Sequence, residues 1–82
     1  MTKHDRSRGA RAMAFISEYR SAHPYGPSFR EVMRGIGIAS TGACYHVLSS
    51  LRDEQLIEWD EGIGRSIRLT EAGHQTVQWG VA

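Results

Sequence analysis

The sequence predicts an α+β fold in which three helices precede a small antiparallel β-hairpin and a short C-terminal helix. Two short amphipathic segments within residues 28–54 are separated by a glycine-containing turn. Two β-prone runs within residues 56–69 surround the sequence Gly-Ile-Gly. A longer amphipathic segment precedes them, and no linker is long enough to divide residues 1–82 into two domains.

The first helix is predicted over residues 7–22. Its apolar side chains share one sector of a helical wheel, which makes a single buried stripe: Ala12, Phe15, Ile16 and Tyr19. Pro24 ends the helix, because the residue before a proline avoids the α region. We expect residues 1–8 to form a basic, flexible arm that carries Lys3, Arg6 and Arg8.

The second helix is predicted to begin at Ser28, which stands three residues before Glu31 in a capping-box spacing. Its apolar face consists of Phe29, Val32, Met33 and Ile36. We expect Gly37 to end the turn in the left-handed conformation, which glycine adopts at low cost.

The third helix is predicted to be capped by Ser40 or Thr41 and to run to about Glu54. One side of it is apolar: Ala43, Cys44, Val47, Leu48 and Leu51. The opposite side carries Gly42, Tyr45, His46 and Ser49. A solvated helix face usually mixes charges, but this face has almost no acidic residue. It is therefore predicted to contact base edges and phosphates.

The hairpin is predicted to pair residues 56–59 with residues 66–69 through a loop at 60–65. A helix then begins within residues 70–73, and its apolar residues are expected to pack on the first helix: Val77, Trp79 and Val81. Trp59 and Trp79 are expected to anchor the core, as large aromatics do in small domains. For Trp79, a place in a dimer interface is the alternative.

The net charge of +1 conceals an asymmetry along the chain. Residues 1–34 carry seven basic and three acidic side chains, a net +4, whereas residues 35–82 carry three basic and six acidic ones, a net −3. Such a basic end can meet phosphates while the acidic end faces away. A solvated surface with a basic tail would give the same composition.

Composition excludes several classes of protein. A hydrophobic content of 40% and a charged content of 23% are those of a globular domain rather than a disordered chain. No apolar run approaches the roughly 18 residues of a transmembrane helix, and the charged N-terminus does not resemble a secretory signal. The single cysteine excludes an internal disulfide. A cytoplasmic protein is expected.

Other chemistries find little support in the motifs. The spacing Gly37-x4-Gly42 lacks the lysine of a phosphate loop, because Ala43 occupies that position. Cys44 and the histidines match no zinc pattern, so no metal or cofactor is predicted, and Cys44 is expected to be a small core residue. No nucleophile–base pair can be recognised, and we predict that the chain is not an enzyme.

The order of these elements is typical of a winged helix-turn-helix, and the stretch from Tyr25 to Leu69 resembles the DNA-binding domain of the LexA repressor family. Residues 12–19 match its first helix less closely. The resemblance rests on Gly26-Pro27-Ser28, Arg30-Glu31-Val32, Ile36-Gly37-Ile38, Ser40, Leu48, Leu51, Leu56-Ile57-Glu58, Gly62 and Arg65-Ser66-Ile67-Arg68-Leu69. It implies that the third helix enters the major groove of DNA and that the wing contacts the DNA backbone.

Five positions at three places depart from the family pattern. Met33 stands where a helix-turn-helix usually has a small residue. Thr41-Gly42 replaces the usual Pro-Asn, and Tyr45-His46 replaces an acidic pair. We therefore expect a target other than the typical operator of the family. Residues 1–82 are not expected to include the family's Ser/Lys protease domain, which by resemblance holds the main dimer contacts.

The sequence thus predicts a sequence-specific protein that binds double-stranded DNA, regulates transcription as a repressor and associates with the nucleoid. Base edges would be read by Gly42, Tyr45, His46 and Ser49. The DNA backbone would be held by Ser28, Arg30, Thr41, Arg52, Arg65 and Arg68. A weak homodimer or a partner protein on DNA is expected. A winged helix that binds proteins, or an accessory factor in replication, recombination or a phage cycle, is the alternative.

Overall fold

The computed structural model describes residues 3–80, with the side chains of residues 8–78. Four helices and a two-stranded antiparallel sheet follow one another in the order α1 Lys3–Ala22, α2 Phe29–Gly35, α3 Thr41–Asp53, β1 Ile57–Glu58, β2 Arg68–Leu69 and α4 Glu71–Gly80. The α+β winged helix-turn-helix predicted from the sequence is confirmed. No helix within residues 3–80 is long and apolar enough to span a membrane.

Helix α1 begins four residues earlier than the sequence predicted, so residues 3–8 belong to the helix rather than to an arm. Gly9 lies in this first part of the helix and is buried, and a Cβ atom built on it would lie 3.3 Å from Cδ2 of Leu51 in α3. The close approach of the two helices therefore supports the turn despite the low helix propensity of glycine. The side chains of Lys3 and Arg6 lie outside the described residues.

The predicted start of α2 is confirmed in detail. The Ser28 hydroxyl accepts a hydrogen bond from the amide of Glu31 at 3.1 Å, and the Glu31 carboxylate accepts one from the amide of Ser28 at 2.9 Å. Gly37 has a φ of 73°, the left-handed conformation expected at the end of the turn. Ser40 then caps α3, accepting from the amide of Ala43 at 3.2 Å.

The two strands are shorter than predicted, because the side chain of Ser66 ends the ladder. Its hydroxyl accepts a hydrogen bond from the amide of Asp60 at 2.9 Å and lies 2.8 Å from the carbonyl oxygen of Ile63. The strands proper pair Ile57 with Leu69 and Glu58 with Arg68, and the amide of Thr70 donates to the carbonyl of Leu56 at 3.0 Å in the same register. The loop before α2 lies beside this wing, where the amide of Gly26 donates to the carbonyl of Arg65 at 3.0 Å.

The core lies where α1, α3 and the wing meet. Its most buried members come from α1, α2, α3 and β1 and from the positions just after α2 and just before β2: Ala12, Ile16, Val32, Ile36, Leu48, Ile57 and Ile67. The predicted burial of Trp59 is confirmed, since 8% of it is exposed. Helix α4 is capped by the Thr70 hydroxyl and contacts α1, with Val77 partly buried against the core. The side chains of Trp79 and Val81 lie outside the described residues.

Candidate nucleic-acid interface

The exposed face of α3 is set by the burial of its other side. Cys44, Leu48 and Leu51 are buried in the core, which turns the predicted base-reading residues away from it. Three of these are exposed, namely Gly42, Tyr45 and His46, while Ser49 is half-buried. No acidic side chain appears on this face before Asp53 in the last turn.

Tyr45 is the largest group on this face, with 52% of its surface exposed. Its ring lies 6.1 Å from the ring of Phe29 in α2 and 6.3 Å from that of Trp59 after β1. The two aromatic neighbours pack against the ring and restrict its orientation, although half of the residue stays exposed. Tyr45 is therefore an oriented group rather than a freely rotating one.

His46 points along the opposite edge of the same face. It lines a groove of about 430 Å³ between α1 and α3, together with Ala10, Met13 and Val47. Tyr45 and His46, adjacent in the sequence, thus lie at two sides of the exposed surface of α3.

The structure brings together three residues predicted to hold the DNA backbone. Ser28, Arg30 and Thr41 line one cleft of about 320 Å³ between the N-terminal ends of α2 and α3. Arg30 is exposed, and the Ser28 hydroxyl, an acceptor in the helix cap, keeps its own hydrogen to donate. Met33, the bulky residue at a position that usually carries a small one, is partly buried at the same cleft.

Arg52, also predicted to contact the DNA backbone, lies between α3 and the wing loop. Its guanidinium carbon is 4.3 Å from the centroid of the Trp59 ring, and its Nη1 atom is 2.8 Å from Oε2 of Glu61. The hydrogen bond from Arg52 is the main cause of a lowered pKa of Glu61. The exposed fractions of the two side chains are 38% and 72%, so the ion pair lies at the surface.

Arg68 lies on the wing between two carboxylates. Its Nε atom is 3.4 Å from Oε2 of Glu58, its partner across the ladder, and its Nη1 atom is 3.3 Å from Oδ2 of Asp60. The hydrogen bond to Asp60 is the main cause that raises the pKa of Arg68. The two carboxylates therefore compensate the charge of Arg68.

Arg65 joins the wing to α1 and α2. Its Nη1 atom is 2.8 Å from Oε1 of Glu31 and 2.7 Å from the hydroxyl of Tyr19. Its guanidinium also faces the ring of Tyr25 at 5.2 Å. The residue has a φ of 60°, a conformation that costs energy outside glycine and persists where the surroundings determine it.

The sequence interpretation missed the acidic partners of these three arginines. It counted Glu58, Asp60 and Glu61 toward the charge of the C-terminal part and did not pair them with the arginines. A signal for one pair was present, since the antiparallel register that aligns Ile57 with Leu69 also aligns Glu58 with Arg68. The contact between Glu31 and Arg65 joins residues 34 positions apart, and no local pattern indicates it.

Cys44 is buried, as the sequence predicted, with its sulfur 3.8 Å from the carbonyl oxygen of Phe29, and burial raises the pKa of its thiol. Within residues 8–78, no group of three or more His, Cys, Asp or Glu side chains is arranged to hold a metal ion. Of the predicted basic arm, Arg8 is exposed.

A helix-turn-helix with an exposed polar second helix, followed by an antiparallel wing, defines the winged helix-turn-helix class of DNA-binding domains. The model of the family described as the LexA DNA binding domain matches residues 5–66, and the chain belongs to this family. It is also 35% identical over 57 residues to the LexA repressor of Roseiflexus sp. (strain RS-1). The match covers 70% of this chain and 26% of that protein, so the chain spans about a quarter of the length of this relative.

Proposed function

We propose that this domain recognises specific sequences in double-stranded DNA with α3 in the major groove, and that it represses transcription. The observation that carries the proposal is the exposed, almost acid-free face of α3 beside the cleft that Arg30 lines. A major groove admits one helix, and polar side chains on its outer face can distinguish base edges. The similarity to the LexA repressor of Roseiflexus supports repression.

In this proposal Tyr45 and His46 read base edges, with Gly42 allowing close approach and Ser49 contributing at the rim. Ser28, Arg30 and Thr41 hold phosphates beside the helix. A backbone contact positions the protein without selecting a sequence, whereas contacts to base edges select it. The domain would act at the nucleoid as a DNA-binding protein rather than as an enzyme.

One recognition helix reads only a few base pairs, too few to define a unique site. We therefore propose that two copies, or one copy and a partner protein, bind half-sites about 10 base pairs apart. Light scattering of the free protein and of its complex with a selected duplex tests this part. A single copy on a selected duplex would contradict it.

A second candidate is a winged helix that binds a partner protein. The acidic wing favours it, because Asp60 and Glu61 extend beside Ile63, which is 61% exposed. Such a surface suits a basic partner better than a phosphate backbone.

The deciding experiment is a selection of duplexes from genomic fragments with the purified protein, followed by salt titrations with a selected and a random duplex. We expect both to bind at low salt and the selected duplex to bind more tightly. Each phosphate neutralised should steepen the dependence of log affinity on log salt by roughly 0.9. Binding of neither duplex would overturn the DNA proposal and favour the protein partner.

A further inference from the structure

The ion pair between Arg52 and Glu61 lies in the space between α3 and the wing. In the proposed complex α3 occupies the major groove and the wing lies near the backbone, so a phosphate must pass close to this space. A carboxylate and a phosphate present similar oxygen acceptors to a guanidinium. The carboxylate of Glu61 therefore occupies, at 2.8 Å from Arg52, the kind of position that a phosphate oxygen would take.

We propose that Glu61 is an internal substitute for a DNA phosphate at Arg52, and that docking on DNA exchanges the carboxylate for a phosphate. The inference rests on the proposed function and adds a residue that sets the affinity of the domain for the DNA backbone. Trp59 supports the exchange, because its ring lies 4.3 Å below the guanidinium and can hold it in place whichever anion is bound.

The local charges make the exchange necessary. Residues 57–69 carry Glu58, Asp60 and Glu61 against Arg65 and Arg68, a net charge of −1. With Glu61 in place, Arg52 offers no uncompensated charge to an approaching phosphate. Glu61 is 72% exposed on a loop that contains Gly62 and Gly64, so its side chain has room to leave both Arg52 and the hydrogen bond from the Trp59 side chain.

The test is Glu61→Gln, which keeps the shape of the side chain and removes its charge. Glu54→Gln is the matched control, because Glu54 is an exposed carboxylate only two residues from Arg52 and has no ion pair among the described side chains. Both variants change the net charge equally, so the difference between them isolates the contact. Affinities for a random duplex and for a selected duplex are measured over a range of salt concentrations, after thermal unfolding confirms that each variant is folded.

We expect Glu61→Gln to bind about two- to fivefold more tightly than Glu54→Gln, as follows from the strength of an exposed ion pair. The gain should be the same for both duplexes, because a phosphate contact carries no base information. The salt dependence should steepen by up to roughly 0.9. In an Arg52→Gln background the effect of Glu61→Gln should disappear.

Other results would overturn the inference. If wild type binds DNA and Glu61→Gln behaves like Glu54→Gln, or its gain persists without Arg52, Glu61 has no such role while the proposed function stands. If neither wild type nor Glu61→Gln binds any duplex at low salt, the proposed function fails and the inference fails with it. Binding by Glu61→Gln alone would support the inference in its strongest form.

Discussion

Helix α2 and the wing hold their arginines in different ways. On α2, Arg30 and Arg34 are exposed, and no ion pair engages them among the described side chains. On the wing, Arg65 lies against Glu31, and Arg68 against Glu58 and Asp60. The same residue type therefore offers a free charge in one region and a compensated charge in the other.

The difference shows that the position of an arginine in a DNA-binding fold does not determine its role. A surface ion pair contributes only about 0–1 kcal/mol to stability, so a phosphate can replace the carboxylate. Because the carboxylate must first be displaced, each contact between a wing arginine and a phosphate adds less to the binding free energy. We therefore expect α2 and α3 to supply most of the affinity and the wing to supply shape and alignment.

The largest effect is expected from a substitution that disrupts the contact between the loop before α2 and the wing. A Cβ atom at Gly26 would lie 2.2 Å from the carbonyl oxygen of Ile67 and 3.2 Å from that of Arg65. Gly26→Ala should therefore destabilise the fold by about 2–3 kcal/mol, the upper part of the range for overpacking, because the backbone must shift. Chemical denaturation measures this. Gly64→Ala is the control, since nothing lies within 4 Å of its Cβ position, and equal stabilities would contradict the close approach.

The next prediction distinguishes α3, which is proposed to contact base edges, from the wing, which is proposed to contact the DNA backbone. Tyr45→Ala and His46→Ala should change the preferred sequence, with about 1–3 kcal/mol lost per good base contact. Arg65→Ala and Arg68→Ala should weaken binding about equally for all sequences, because they would contact only the backbone. Binding of each variant to selected and random duplexes decides this. A changed preference in the wing variants alone would reverse the assigned roles.

A smaller effect is expected at Gly42, where a substitution should raise the stability of the fold and lower the affinity for DNA. A Cβ atom there would have the Ser40 hydroxyl oxygen, at 3.8 Å, as its nearest neighbour. Gly42→Ala should therefore stabilise the domain by about 0.5–1 kcal/mol, the usual gain within a helix. If DNA approaches this part of α3 closely, the same variant should bind a selected duplex less tightly. A rise in stability with unchanged affinity would remove Gly42 from the interface.

Local rules predicted the elements that local interactions build. The spacing of Ser28 and Glu31 predicted the capping box, Gly37 its left-handed turn, and the helical wheel the buried side of α3. The length of the wing strands depends on where the Ser66 hydroxyl folds back, which propensity does not encode. The roles of Arg52 and Arg65 depend on contacts across the fold, so sequence reasoning identified the cations but not their partners.

A salt titration of DNA binding can compare an arginine of α2 with an arginine of the wing. Arg30→Ala should reduce the slope of log affinity against log salt by roughly 0.9, because a free cation would be lost from the interface. Arg68→Ala should reduce it by less, since Glu58 and Asp60 already compensate this charge. The two variants remove the same charge and serve as controls for each other. Equal reductions would show that the wing carboxylates release Arg68 fully on DNA.

The smallest effect concerns the contact that joins the wing to α2. Hydrogen bonds from the Ser28 amide and then from Arg65 lower the pKa of Glu31 from its ordinary value of 4.5. A carboxylate with a lowered pKa stabilises the folded state fully above its unfolded value, and this contribution is lost as the pH falls through the folded value.

Glu31→Gln keeps a side chain that can complete the capping box but removes the charge. Wild type should therefore exceed this variant in stability at neutral pH, and the difference should shrink as the pH falls below 4.5. Denaturation at a series of pH values measures it, with Glu18→Gln, at an exposed position of α1, as the control. If wild type and Glu31→Gln lost stability in parallel on acidification, the charge of Glu31 would not stabilise the fold through either Ser28 or Arg65.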